Sequence, residues 1–129
     1  TGDIQMLKNE LTKLATEIEK LPIYDAGLTR RAFDLVAAEL PAADRQMVEA
    51  GALGSVDAAV LLIDHEFPGW TISMDGIANE KNGHWKCTLR KSKSRDNDAF
   101  IGIGKGPKLS NALIASLLKA LAQKSALGR

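Results

Sequence analysis

Residues 99–124, AFIGIGKGPKLSNALIASLLKALAQK, decide how the rest of the chain is read. Residues 99–104 alternate and are expected to form a strand, with Ile101 and Ile103 turned inward. The glycines at 104 and 106 then make a turn, and Pro107 suits the first position of a helix. From about Lys108 to Lys124, Leu109, Leu113, Ile114, Leu117, Leu118 and Leu121 recur at helical spacing, so a long apolar helix follows. Ala112, Ser116 and Ala120 form a line of small side chains along which another backbone can approach. A turn with Lys105 and Lys108 at a helix start either holds an anion on its free N–H groups or simply joins two elements. Two nucleotide motifs are excluded. The lysines are followed by Gly and Leu without GxxxxGK[ST] spacing, and the GxGxG pattern has no parallel strand after it.

Two more strands precede this stretch. Residues 70–75 place Trp70, Ile72 and Met74 on one face. Residues 84–91 place Trp85, Cys87 and Leu89 inward, with His84, Lys86, Thr88 and Arg90 outward. Residues 76–83 and 92–98 read as polar connections. Ahead of the strands, Ser55 caps a helix over 56–66, Asp57 suits its positive end, and Pro68 and Gly69 stop it. The fold class is therefore α+β: N-terminal helices followed by α-β-β-β-α, with a three-stranded antiparallel sheet covered on one face by helices.

Ile4, Leu7, Leu11, Leu14, Ile18 and Leu21 are spaced 3, 4, 3, 4, 3, which is a heptad seam. Pro22 ends this helix. A helix of about 18 residues is marginal alone, so its seam needs a cover. The cover is either the chain's own core or a second copy; the narrow seam favours pairing, and these six residues are the expected self-association set. Thr29 is expected to cap a second helix over 30–40, Pro41 closes it, and residues 42–50 make a short third. Gly51 and Gly54 divide the chain into a helical region, 1–50, and an α-β-β-β-α domain, 55–129.

The chain has 129 residues and 45% apolar residues, enough for a core. It lacks the run of about 18 apolar residues that a membrane span needs. The first residues, TGDIQMLKNEL, show no secretion signal. Cys87 is the only cysteine, so no intrachain disulfide forms, and a cytoplasmic location is expected. The net charge of +1 hides a split. Residues 1–80 hold six basic and fourteen acidic side chains, net −8; residues 81–129 hold eleven and two, net +9. Lys86, Arg90, Lys91, Lys93, Arg95, Lys105 and Lys108 are the candidate contacts to an anion or nucleic acid. Aromatic interleaving is poor, which argues against a single-strand platform.

No chemistry-bearing constellation appears. Cys87 shares parity with Trp85 and Leu89 and reads as a buried, inert thiol. Asp64, His65 and Glu66 are adjacent on one helix and do not face each other. Two histidines and one cysteine give no metal-ligand spacing. No catalytic residue, metal, cofactor or small-molecule substrate is assigned, and a non-enzymatic protein is expected.

Two families resemble parts of the chain. The helix–strand–strand–strand–helix order, with a Gly-Lys-Gly turn leading into an Ala- and Leu-rich helix, resembles the double-stranded RNA-binding domain. That resemblance implies phosphate contacts at the start of the last helix, where Lys105 and Lys108 stand, and a minor-groove loop, where Asn82, Gly83 and His84 stand. Ser55, Asp57, Ala58 and Ala59, then Pro68, Gly69 and Trp70, then residues 112–120 resemble a group of small phage and prophage α-β-α sandwich proteins with no assigned activity. That resemblance covers about residues 55–122. The expected function is a binding protein acting through protein–protein contacts, as a homodimer or with another protein, with nucleic-acid binding as the alternative.

Overall fold

A computed structural model describes residues 2–36, 40–76, 85–91 and 101–126. Five α-helices and three strands follow one another in the expected order: α1 (Gly2–Glu19), α2 (Ala26–Asp34), α3 (Ala42–Glu49), α4 (Val56–Glu66), β1 (Thr71–Asp75), β2 (Trp85–Arg90), β3 (Ile101–Gly106) and α5 (Leu109–Ala126). A 3₁₀ turn, Ala52–Gly54, joins α3 to α4. The fold is α+β, and the antiparallel sheet has the order β1-β2-β3 with helices packed on it. No described helix is long and apolar enough to cross a membrane.

Local signals set the helix starts. The Ser55 hydroxyl accepts the Ala58 N–H at 3.5 Å and opens α4 where its sequence predicts. α2 starts earlier than residue 30. The Asp25 carboxylate accepts the Leu28 N–H at 2.9 Å and is the cap, while Thr29 is buried inside the helix. Asp commonly outcompetes Thr as a cap, so the first turn forms at Asp25.

α5 is the centre of the molecule. Residues Ala112, Leu113, Ile114, Ala115, Leu117, Leu118, Ala120, Leu121 and Ala122 are buried, almost all round the helix. α5 lies on β2 and β3, with α1 and α4 also packed against it. The α1 seam is thus covered within the chain: Leu11, Leu14 and Ile18 are at most 2% exposed. Each contributes about 1.5–3 kcal/mol by leaving water. Buried in this way, those three residues present no surface of this chain to a second copy. Leu7 packs at the margin of the same core, and Leu21 is half-buried just past the helix. The Ile4 side chain lies outside the described residues. The division at Gly51 and Gly54 does not separate two cores either. Leu11, Phe33 and Val48 belong to one cluster with Leu62, Leu89 and Leu117.

The strand β3 is inverted relative to expectation. Its register pairs Gly104 with Cys87 and Gly102 with Leu89, and Cys87 and Leu89 are fully buried. Residues directly opposite share a face, so the glycines point inward and Ile103, 37% exposed, points outward. The cause is the close approach of α5. A Cβ on Gly102 would run into the Ser116 carbonyl oxygen, and one on Gly104 into the Ala112 carbonyl oxygen. The small-residue line of α5 thus has a glycine strand as its neighbour.

Candidate functional site

The same register assembles a candidate site on the sheet face away from α5. Its rows are Asp75, Lys86 and Lys105; then Ser73, Thr88 and Ile103; then Thr71, Arg90 and Ile101. Lys86, Lys105 and Asp75 are exposed, and no described helix lies over them. Lys86 stands directly opposite Lys105, with Asp75 on its other side. Like charges directly opposite repel, so this pair holds a positive potential that an incoming anion relieves. Arg90 belongs to the same face two residues along β2, and the exposed Lys91 follows the strand. Of the seven predicted cations, Lys86, Arg90 and Lys105 are therefore brought together. Lys93 and Arg95 lie outside the described residues.

Lys108 is set apart from that face, half-buried just ahead of α5, where its carbonyl accepts the Ala112 N–H. The anion at this junction is the chain's own. Glu19, the last residue of α1, places Oε2 2.7 Å from the Lys105 N and 2.9 Å from Lys119 Nζ. A carboxylate holding an amide and an ammonium makes two charge-assisted hydrogen bonds. One turn into α5, the buried Asn111 donates both amide hydrogens, to the Leu21 carbonyl at 3.1 Å and the Ile23 carbonyl at 2.7 Å. The connector between α1 and α2 is thereby fastened over the start of α5.

A second cluster escapes sequence reasoning. Asp44, in the first turn of α3, is 0% exposed, and its Oδ1 lies 2.6 Å from Nδ1 of His65 on α4. Its Oδ2 has no hydrogen-bond donor among the described residues. Glu66 lies beside it, and burial pushes that carboxyl up to about 6. A protonated Glu66 is the form with an O–H to give Asp44. The hydrogen bond to Asp44 raises His65 above the usual histidine value. An aspartate behind a histidine is how general bases are oriented. Here the cavity of about 30 Å³ between α2 and α3 and the groove beside β3 both lie elsewhere. No cluster of three metal-ligating side chains occurs among the described residues. The signal for this pair was absent locally, since Asp44 and His65 are 21 residues apart. Cys87 is buried, which pushes its thiol up to about 11, far from thiolate chemistry.

Compared with protein-family models, with curated proteins and with solved structures, the chain matches none.

Proposed function

We propose that the protein is a non-enzymatic binding protein that presents the open face of its sheet to an acidic protein partner. The observation that carries this is Lys86 directly opposite Lys105 on a face that no described helix covers, with Arg90 alongside. Hydroxyls of Thr71, Ser73 and Thr88 share that face and add donors for carboxylates. A small phage or prophage accessory protein, acting in the cytoplasm on a host nucleic-acid machine through protein contacts, fits this reading.

Duplex nucleic-acid binding is the second reading. It draws on the α4–β1–β2–β3–α5 order, which the double-stranded RNA-binding domain shares. That mode uses the start of the last helix, and here Asn111 holds the α1–α2 connector against it. The open face is the freer surface, which favours the first reading.

Fluorescence anisotropy with a labelled poly-glutamate peptide and with labelled RNA and DNA duplexes tests the choice. The peptide is expected to bind, and the double variant Lys86→Glu/Lys105→Glu to lose about tenfold or more in affinity. Tight duplex binding that falls steeply with salt supports the second reading. Peptide binding indifferent to Lys86 and Lys105 overturns the first.

A further inference from the structure

We infer that the free edge of β3 accepts an extended acidic segment of a partner protein as a fourth strand, laid in the groove between β3 and α1. This rests on the acidic-partner reading above and adds where and in what form the partner docks. Among the described residues β3 ends the sheet and pairs only with β2. The Lys105 N–H is turned away from β2, because it donates to Glu19 at 2.7 Å. Backbone groups two residues apart in an antiparallel strand point the same way. The N–H and C=O of Ile103 therefore face outward too.

They face a groove of about 380 Å³, lined by Lys8 and Thr12 of α1, Ile103 of β3, and Lys119 and Gln123 of α5. An unpaired strand edge is a template for another strand, and proteins usually blunt it. This chain blunts one end of it. Glu19 occupies the Lys105 N–H, and Gly106 sits against the Glu19 carbonyl. Further along, Thr12 and Ile103 line the open groove.

Charge selects the occupant. Lys8 has no ion-pair partner among the described residues, and Lys105 stands exposed two residues beyond Ile103. Side chains of an added strand alternate between two faces. One set would meet the row that holds Lys105, the other would meet Lys8 and Thr12. Acidic residues thus find a lysine on either side. Glu19 already shows a carboxylate seated on this edge.

The probe is an acetylated octapeptide of alternating Glu and Val, with a Lys–Val octapeptide as control. Amide hydrogen exchange of Ile103 and peptide affinity are read together. The Glu–Val peptide is expected to protect the Ile103 amide, and the control to leave it unchanged. Ile103→Pro, which deletes the donor at an edge position that tolerates proline, should abolish binding. Lys8→Glu should weaken it by about tenfold, a change of about 1.4 kcal/mol. Circular dichroism establishes that the proline variant folds; if it does not, exchange in the wild type and the Lys8 variant decide. Peptide bound without protection of Ile103 overturns the edge. If such binding is also lost in Lys86→Glu/Lys105→Glu, the open-face reading stands without it. Absence of peptide binding overturns both.

Discussion

Two carboxylates tie helices together in this molecule, and they are served very differently. At the junction of α1, β3 and α5, Glu19 receives a backbone N–H and an ammonium on one oxygen. At the corner of α3 and α4, Asp44 is more deeply buried and, among the described residues, has His65 on one oxygen and no donor on the other. The first carboxylate has two donors in place. The second favours the protonated forms of His65 and Glu66, whose values are both raised there. Burial alone does not make a polar contact structural; the number of donors it finds does.

The sharpest way to break the first junction is to push its backbones apart. Gly104→Val places a branched side chain where the Ala112 carbonyl lies, and the nearby Ser116 leaves no slack. A loss of about 4 kcal/mol or more in denaturant-measured stability is expected, because α5 cannot shift without disturbing the core. The same change at Ile103, on the outer side of the strand, should cost about 1 kcal/mol or less. Equal costs at the two positions would refute the inverted strand.

Removing the carboxylate at the first junction is the next largest effect. Glu19→Ala should cost about 1–2 kcal/mol, since it strips one exposed and one part-buried charge-assisted hydrogen bond. A double-mutant cycle of Glu19→Gln with Lys119→Met should show a coupling of about 1 kcal/mol. Additive behaviour would mean that Lys119 contributes nothing to the junction.

The α3–α4 corner should show itself mainly through pH. Glu66 and His65 both have folded values raised above the unfolded ones. Each raised group gives stability that is full below its unfolded value and lost as pH climbs through the folded one. For Glu66 that loss falls between 4.5 and about 6. For His65 it falls above 6.5, as pH rises through its raised value. The groups facing this corner are Asp44 of α3, Asp64, His65 and Glu66 of α4, and Lys124 of α5. Thermal melts from pH 4.5 to 8.5 should therefore decline with pH. Glu66→Gln should flatten the lower part of the decline, and His65→Gln the upper part. A wild-type profile that rises over this range would remove the corner from the account.

Most of the fold was legible because its signals are local. Ser55, Asp57, Pro68 and Gly69 bound α4 within a few residues, and the alternation around Cys87 and Leu89 marks β2 unaided. β3 departs from its parity because its glycines, and not Ile103, face the core. The correct signal was relational: glycines at 102, 104 and 106 have period two, and Ala112, Ser116 and Ala120 have period four. Together they describe a strand and a helix whose backbones nearly touch. The heptad seam of α1 was legible as a surface needing cover, and its cover was not, since α5 lies about a hundred residues further on, as the Glu19–Lys119 pair shows. Of the candidate site, parity placed Lys86 and Arg90 on the outer face correctly. It could not place Lys105 opposite Lys86, because that depends on register. Asp44 with His65 was invisible, because no local pattern links α3 to α4.

The pairing of α1 with α5 also bears on how the chain reaches its native state. Its contacts join segments separated by most of the sequence, so closing that loop costs entropy before any burial repays it. During synthesis Leu11, Leu14 and Ile18 emerge long before Leu113 and Leu117 exist to cover them. Through that interval the first helix is an amphipathic surface without a partner, which is the kind of segment holding chaperones bind.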